Sequence, residues 1–303
     1  MRRPGRVREA LAAFGVSEAR LRVLKRSWNE VYEVRTAANR YVLRIGRPGA
    51  RTEIQVRSEL AWLEALRRDT DLVVPTPLPT SSGDVVHVIA GDPPLCAVLF
   101  TWVPGRRIRR MPRTRLVAGL GETLARLHAH AERFVPPDPF TGERFTEVWG
   151  FGRPRPLYDD APHSLWSREL RDRIRQRAAE IQAAITRLYA APEPPLFVHG
   201  DLHLSNVKQL NGKLAVLDFD DSLWAYPIQD IGISLQYVLL RWNDPRAVDA
   251  FRAGYQRIRP WPAGDVDLFV DARALELLSL SLREPAGEES ARRMLTFLKH
   301  RLE

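Results

Sequence analysis

The chain has 303 residues, of which 45% are hydrophobic and 27% are charged, so its composition is that of a soluble globular protein and excludes a disordered or fibrous one. Its length suits one large domain or two modest ones. The longest apolar run, at 95–103, is far shorter than the roughly 20 residues of a membrane-spanning helix. A single cysteine, Cys96, excludes an internal disulfide and a cysteine-based zinc cluster. No signal-peptide core follows the N-terminal arginines, and we therefore expect a cytoplasmic protein without a membrane partner.

The net charge of +9 raises the question of nucleic-acid binding. The basic residues are almost all arginine, which genome composition explains as readily as phosphate binding does. Several of them alternate within a helical pattern and are typical of a solvated helix face, namely Arg171, Arg173, Arg175 and Arg177. A nucleic acid is therefore not the expected partner, and a steep salt dependence of DNA or RNA affinity would indicate otherwise.

The first hundred or so residues predict a small, mostly antiparallel sheet with one main helix. A weak amphipathic helix comes first and ends at Gly15, a residue that suits a helix C-cap. The segments 31–35 and 40–45 flank a short polar loop and predict a β-hairpin. A helical pattern at 54–66 follows. Two further strands are predicted at 85–89 and 96–103.

After Pro104-Gly105, which is typical of a hinge, the pattern changes from strands to helices. Apolar residues at helical spacing predict helices at 116–127 and 170–188, and more helices after Asp230. The chain thus predicts an α+β, bilobal fold with an N-terminal lobe at 1–103 and a mainly helical C-terminal lobe at 104–303. A cleft between two lobes is a common place for a small-molecule site.

The segment 199–221 carries the chemistry. Asn211-Gly212 separates two alternating apolar runs and is the strongest short-range signal for a type I′ β-hairpin. Asn206 precedes the first strand of that hairpin and Asp218 follows the second, so both side chains emerge at the same end. Asp201 lies on the loop that leads into the hairpin. Two carboxylates and an amide therefore converge, and such hard oxygen ligands suit Mg²⁺.

This set fits phosphoryl transfer from ATP, a reaction that depends on positioning and on neutralising phosphate charge. Asn206 and Asp218 would hold the magnesium ion, and Asp201 would accept a proton from a hydroxyl group. The carboxylates that follow the hairpin would also serve a metal-dependent phosphohydrolase, although the bilobal layout disfavours that interpretation.

Zinc binding is a further alternative. His199 and His203 are four residues apart, as in zinc-binding helices. Gly200 and the lack of an intervening glutamate argue against such a helix.

The segment resembles the catalytic core of the aminoglycoside phosphotransferase and choline kinase-like enzymes, which share the protein-kinase fold. It is most similar to the branch that includes homoserine kinases and bacterial stress-response kinases. The motif is His-Gly-Asp-x-His-x-x-Asn at 199–206, then a hairpin, then Asp-Phe-Asp at 218–220. The resemblance implies that Asp201 is the catalytic base and that Asn206 and Asp218 bind magnesium, with Asp220 as a secondary member of the site. It also implies that His199 braces the loop and that Asp230 hydrogen-bonds the backbone of the loop.

In the N-terminal lobe the resemblance implies a nucleotide site. The segment 27–32, which includes Asn29, stands where a nucleotide-covering loop belongs but contains no glycine. Arg44 occupies the position of a phosphate-contacting lysine; it stays charged and can bind two phosphate oxygens at once. Glu59 is the candidate that orients Arg44, with Glu53 as the alternative. The backbone that would bind adenine belongs to Thr101, Trp102 and Val103.

The acceptor is the least defined part of the prediction. Only a short segment separates Asp218 from Asp230, so the chain lacks a long activation segment for docking a peptide, which favours a small hydroxylated acceptor. Aromatic residues that could line its pocket, or simply form core, are Trp149, Phe151, Tyr158, Trp224 and Tyr226.

We therefore expect an ATP- and Mg²⁺-dependent kinase that transfers the γ-phosphoryl group to a hydroxyl of a small molecule. One alternative is a protein Ser/Thr kinase of the stress-response type, which the same branch contains. Another is a nucleotide-binding pseudokinase, in keeping with the glycine-free loop and Arg44. ATP turnover that is abolished by Asp201→Ala would exclude the pseudokinase.

Overall fold

The structure, a computed structural model, describes residues 3–26, 29–108, 114–148, 165–242, 244–283 and 287–303. The chain forms two compact units. Unit 1 comprises Met1–Arg106, Phe134–Thr141 and Lys208–Asp220, and unit 2 comprises Arg107–Arg133, Gly142–Val207 and Asp221–Glu303. The predicted boundary after residue 103 lies close to the end of the first segment of unit 1, and unit 1 also takes in the hairpin segment that carries Asp218.

Unit 1 is built on a five-stranded antiparallel sheet in the order β1-β2-β3-β5-β4. Its strands are β1 (Arg20–Arg26), β2 (Asn29–Arg35), β3 (Arg40–Gly46), β4 (His87–Ile89) and β5 (Leu95–Thr101). The predicted hairpin and the two later strands are confirmed. The sequence patterns did not predict β1, because its apolar residues Leu21 and Val23 are exposed and alternate with basic residues, so the strand has no core-facing signal.

Two helices belong to unit 1. The helix α1 (Arg3–Ala13) buries Val7 and Leu11 in the same apolar cluster as the sheet. The helix α2 (Glu53–Asp69) begins with a capping box, in which Thr52 and Gln55 satisfy each other's backbone N–H groups. Its buried face includes Glu59 among apolar residues. The core of unit 1 therefore fixes the side of α2 on which this carboxylate lies.

The predicted type I′ hairpin is also confirmed in unit 1. Its strands are β8 (Val207–Leu210) and β9 (Lys213–Val216). Asn211 and Gly212 have φ values of 48° and 81°, as both central residues of this turn require. The short strand β6 (Arg106–Arg107) is the neighbour of β8 in this second sheet. The hairpin delivers the chain directly to Asp218.

Unit 2 is mainly helical, as predicted. Its helices are α3 (Thr114–Ala131), α4 (Arg168–Tyr189), α5 (Pro227–Trp242), α6 (Pro245–Tyr255), α7 (Val266–Arg283) and α8 (Glu288–Leu302), and its strands β7 (Leu196–Val198) and β10 (Leu223–Ala225) pair antiparallel. Helices α3 and α6 approach so closely that a Cβ on Gly254 would lie 1.9 Å from the carbonyl oxygen of Ala118. None of the helices in the described ranges is long and apolar enough to cross a membrane.

Candidate active site

The loop that follows β7 in unit 2 requires a glycine at position 200. Gly200 has a φ of +74°, and a Cβ there would lie 2.2 Å from the carbonyl oxygen of Asp221. The loop therefore packs directly on the backbone of the residue that follows the Asp-Phe-Asp motif. His199, fully buried, accepts a 3.3 Å hydrogen bond at Nδ1 from the N–H of Asp201 and so shapes the same turn.

A series of hydrogen-bonded, buried polar side chains supports the backbone of this loop. Asp230 on α5 accepts the N–H of Gly200 at Oδ1 and Nε2–H of His128 at Oδ2, each at 3.0 Å. The other ring nitrogen of His128, Nδ1, lies within hydrogen-bond distance of the hydroxyl of Tyr255, at 2.9 Å. These side chains are completely buried. Asp230 thus makes the backbone contact that the resemblance implies, whereas His128 and Tyr255 were not predicted because they lie far away in sequence and share no motif with the loop.

Asp201 is held by four polar side chains of unit 2. Its Oδ1 accepts from Nη2 of Arg273 at 2.5 Å and from the hydroxyl of Tyr237 at 3.1 Å. Its Oδ2 accepts from Nδ2 of Asn206 at 2.8 Å, and Nε2 of His203 lies 3.4 Å away. Burial would raise the pKa of Asp201, but Arg273 and His203 hold that pKa well below its usual range. The carboxylate is therefore ionised and oriented, as a proton acceptor must be.

Asn206 has a defined orientation as well. Its Nδ2 donates to Oδ2 of Asp201 at 2.8 Å and to the backbone oxygen of Asp201 at 3.0 Å. The amide nitrogen is committed to these contacts, so the amide oxygen is the atom that can bind a cation. The residue is 9% exposed. An oxygen donor of this kind fits a magnesium ligand.

The Asp-Phe-Asp motif of unit 1 follows β9. Asp218 has a φ of +63° and accepts from Nζ of Lys25 at 3.3 Å. Phe219 packs edge-on against Trp62 of α2, with 5.5 Å between the ring centroids. Asp220 accepts a hydrogen bond from Nδ2 of Asn29. The buried Phe219 thus anchors the motif. The two carboxylates of the motif, those of Asp218 and Asp220, directly precede and follow it in sequence.

Arg44 and Glu59 form a two-pronged ion pair in unit 1. Nη1 and Nη2 of Arg44 donate to Oε1 and Oε2 of Glu59, each at 2.8 Å. Nη1 of Arg51 adds a third contact to Glu59 at 2.7 Å. Glu53 pairs with Arg57 instead, so Glu59 is the partner of Arg44. Arg51 was not predicted, because no motif marks it.

Arg44 and Arg51 also lie close to Asp220. A small cavity of about 20 Å³ is lined by side chains that include Asn29, Arg44, Arg51 and Asp220. Burial would raise the pKa of Asp220, but its contacts with Asp218 and the positive charges of Arg44 and Arg51 lower it. Unit 1 therefore brings together Asn29, Arg44, Glu59 and Asp220.

The segment predicted to bind adenine is engaged within unit 1. The N–H of Thr101 donates to the oxygen of Thr76 at 2.9 Å, and the carbonyl oxygen of Val103 accepts from Nζ of Lys208 at 2.5 Å. The ring of Trp102 contacts two cations, with Cζ of Arg40 3.3 Å and Nζ of Lys208 4.0 Å from the ring centroid. The segment is thus held by contacts to its backbone and to this ring.

The aromatic candidates for an acceptor pocket divide into two groups. Trp224 packs against Phe197, and Tyr226 packs edge-on against Tyr189, so both have structural roles in unit 2. Trp149, Phe151 and Tyr158 lie outside the described residues. A separate pocket of about 210 Å³ in unit 2 has His203, Tyr237, Trp242, Arg241 and Arg293 among its lining residues.

Comparison with known proteins places this arrangement among enzymes. The model of the phosphotransferase enzyme family matches residues 21–265. An uncharacterised protein of Deinococcus radiodurans is 28% identical over 88% of this chain and 78% of its own length. The amicoumacin kinase of Bacillus subtilis is 26% identical over 76% of this chain and 67% of its own length. The hydroxylysine kinase of Bos taurus is 23% identical over 54% of this chain and 46% of its own length. The chain thus spans less than half of the last of these.

Two solved structures share the fold over nearly the whole chain. A microcompartment-associated aminopropanol kinase superposes with a TM-score of 0.81 at 24% identity, covering 96% of this chain and 94% of that one. An amicoumacin kinase in complex with AMP-PNP and Ca²⁺ superposes with a TM-score of 0.80 at 19% identity, covering 99% and 94%. The predicted resemblance, the α+β kinase-like fold and the enzyme class, a phosphotransferase with a hydroxyl acceptor, are confirmed.

Proposed function

Because the chain belongs to the phosphotransferase enzyme family, we propose that it is an ATP- and Mg²⁺-dependent kinase that phosphorylates a hydroxyl group of a small molecule. The arrangement of Asp201 and Asn206 carries the proposal. The loop holds the carboxylate of Asp201 2.8 Å from the amide nitrogen of Asn206, which leaves the amide oxygen for a cation. A proton acceptor and a metal ligand thus lie side by side, as phosphoryl transfer to a hydroxyl requires.

Asn206 and Asp218 are the proposed magnesium ligands, with Asp220 in a secondary role. Magnesium in kinases is bound by one or two protein side chains together with phosphate oxygens, so a dedicated cluster of acidic or imidazole ligands is not needed. When bound, the ion neutralises charge on the transferring phosphates. Asp201 accepts the proton that the acceptor hydroxyl releases.

Arg44 is the proposed phosphate-binding residue. A guanidinium group has five N–H donors, and Glu59 uses two of those of Arg44. The remaining donors suit phosphate oxygens, and the two bonds to Glu59 fix the plane in which they point. Asn29, which donates to Asp220, and the backbone of Thr101, Trp102 and Val103 complete the proposed nucleotide site. The N–H groups of Thr101 and Trp102 already donate to Thr76 and Arg40, so adenine would bind the other backbone groups of this segment.

Three observations support a small acceptor. The segment between Asp218 and Asp230 contains the strand β10 and the start of α5, so it is ordered secondary structure and lacks a long peptide-docking loop. The pocket of about 210 Å³ in unit 2 is lined by His203 and Tyr237, both of which contact Asp201. The named relatives are kinases of hydroxylysine, aminopropanol and amicoumacin. We propose this pocket as the acceptor site.

Transfer of radiolabel from [γ-³²P]ATP tests the proposal. The purified chain is incubated with Mg²⁺ and, in parallel, with aminopropanol, hydroxylysine, a wider set of small alcohols, and casein. We expect label on a small molecule, none after chelation of the metal, and none with Asp201→Asn. The matched control is Asp249→Asn, which removes an exposed carboxylate on α6 of the same unit. Label on casein alone, or nucleotide binding without transfer to any acceptor, would contradict the proposal.

A further inference from the structure

The carboxylate of Asp201 is surrounded by more side-chain partners than a proton acceptor requires. An ionised carboxylate offers about four acceptor positions, and four side chains surround this one. Arg273 and Tyr237 contact Oδ1, while Asn206 and His203 lie against Oδ2. An approaching hydroxyl group must therefore share the carboxylate, which is 13% exposed, with these partners or displace one of them.

The four contacts differ in length. Those from Arg273, Asn206 and Tyr237 are 2.5, 2.8 and 3.1 Å long, whereas Nε2 of His203 lies 3.4 Å from Oδ2. His203 also lines the pocket of about 210 Å³. Tyr237, a partner of Oδ1, lines the same pocket, but Oδ1 is also held by Arg273 at 2.5 Å, whereas the pocket-lining partner of Oδ2 makes the longest of the four contacts. Oδ2 is therefore the oxygen that we take to become accessible, and Oδ1 the one that stays fixed.

Arg273 fixes Oδ1 because it is itself held at both ends. Its side chain is 5% exposed, and its Nη1 donates to Oε2 of Glu276 at 2.6 Å, one turn along α7. Its Nη2 donates to Asp201 at 2.5 Å and to the hydroxyl of Tyr237 at 3.2 Å. A planar guanidinium group that bridges two carboxylates loses little freedom on binding either of them, and a buried charge pair with good geometry holds its position.

We propose that Arg273 is the positioning residue for Asp201: its bridge from Glu276 to Oδ1 sets the rotation of the carboxylate so that Oδ2 faces the acceptor. The inference rests on the proposed kinase function. Nothing in it requires Arg273 to touch the substrate or the nucleotide. Loss of the bridge therefore lowers the rate of transfer and leaves nucleotide binding unchanged.

The test compares Arg273 with a matched arginine elsewhere in unit 2. Arg177 also bridges two carboxylates, those of Glu180 and the buried Asp271, but it makes no contact with Asp201. The variants are Arg273→Gln, Arg273→Lys, Arg177→Gln and Arg177→Lys. Each is assayed for kcat, for KM of ATP and for Tm, with aminopropanol as acceptor and, in a second series, with water, measured as phosphate release from ATP.

We expect Arg273→Gln to lower kcat about 10²-fold, the usual effect of a reacting group misplaced by about 1 Å, and to change KM for ATP less than twofold. Arg273→Lys keeps the charge and recovers part of the rate. The Arg177 variants lower Tm and leave kcat unchanged. If Arg273→Gln lowers Tm and active fraction together but leaves kcat per folded molecule at the wild-type value, its role is structural and the proposal is wrong.

Two further variants keep the test decisive. Arg273→Ala assayed with added guanidinium chloride at millimolar concentration should regain kcat, whereas the same concentration of sodium chloride should not restore it. Arg273→Met combined with Glu276→Gln removes both charges at nearly constant volume, so it should fold even where the single variants do not. Its kcat should also be low, and wild-type kcat in this double variant would overturn the inference. Failure of the proposed function is distinguishable, since it would leave the wild-type chain itself without phosphotransfer.

Discussion

Two parallel hydrogen bonds of 2.8 Å join the guanidinium group of Arg44 to the carboxylate of Glu59. Both groups are buried in unit 1, and Arg51 contacts the same carboxylate. An arginine bound in this way has a fixed plane, whereas a lysine at position 44 would make a single contact with free rotation. The arginine therefore keeps the charge at this position and adds a defined direction for it.

Arg44→Lys is expected to raise KM for ATP about tenfold with little loss of stability, since the charge remains but its direction does not. Arg44→Met is expected to abolish measurable saturation by ATP. It should also lower the free energy of unfolding by about 2–4 kcal/mol, because it leaves the carboxylate of Glu59 with one partner. Steady-state kinetics and urea denaturation measure the two effects. Arg57→Lys, a change at a half-buried arginine on the same helix that pairs with Glu53 and Asp84, is the control. A KM for ATP that is equal in all three variants would contradict a phosphate-binding role for Arg44.

Glycines at positions 200 and 212 have similar backbone angles but different surroundings. Gly200 has a φ of +74°, and a Cβ attached to it would lie 2.2 Å from the carbonyl oxygen of Asp221. Gly212 has a φ of +81°, and a Cβ attached to it would have no atom within 4 Å. The first glycine is thus required by space and by angle, and the second by angle alone.

Gly212→Ala should therefore cost about 1 kcal/mol, the penalty of a side chain in the left-handed region, and leave kcat near the wild-type value. Gly200→Ala should cost about 3 kcal/mol or more and lower kcat at least tenfold in the folded fraction, because the loop must move away from Asp221. Chemical denaturation and activity assays on both variants check this. Equal losses of kcat in the two variants would show that the contact with Asp221 does not position the loop.

Local patterns predicted most of the fold. The turn at Asn211-Gly212 and the apolar periodicity of the helices act within a few residues, so the sequence contains their whole cause. The strand β1 escaped prediction because backbone pairing with β2 holds it, while Leu21 and Val23 are exposed.

The residues of the candidate site also fall into those that local sequence predicted and those that only tertiary contacts define. The motif identified Asp201 and Asn206 because their separation is fixed locally. Arg273, Tyr237 and His128 reach the loop from three different helices, and only tertiary packing selects them from the other residues of their kinds. The resemblance favoured Glu59 over Glu53 as the partner of Arg44, but the residue pattern alone did not exclude Glu53, since the choice depends on which face of α2 is buried.

Asp230→Asn tests the buried support of the loop. The carboxylate accepts from both the N–H of Gly200 and Nε2–H of His128, and an amide can accept only one of them. The free energy of unfolding should fall by about 1–3 kcal/mol, and kcat should fall more than tenfold. Tyr255→Phe removes the hydroxyl group that contacts His128 and does not touch the loop itself. It should therefore have a smaller effect on kcat. A larger loss of kcat in Tyr255→Phe than in Asp230→Asn would contradict this order.

Glu33 in unit 1 provides a pH-dependent contribution to stability. Its carboxylate is 1% exposed and is covered by Arg22, Arg35 and Arg40. Burial would raise its pKa, but hydrogen bonds from these arginines lower it to about 2, from an ordinary value of 4.5. Because the folded pKa lies below the unfolded one, the unfolded chain binds the proton more tightly. The stabilisation is complete above about pH 4.5 and is lost as the pH falls toward 2.

Glu33→Gln should therefore be less stable than the wild type near pH 6 by about 1–2 kcal/mol, a value reduced by solvent screening of the partly exposed arginines. The difference should shrink steadily as the pH falls from 4.5 toward 2, because protonation removes from the wild type the charge that the variant already lacks. Urea denaturation at a series of pH values measures it, with Glu289→Gln, an exposed change on α8, as the control. A difference that stays constant or grows on acidification would show that the three arginines do not stabilise the ionised form of Glu33.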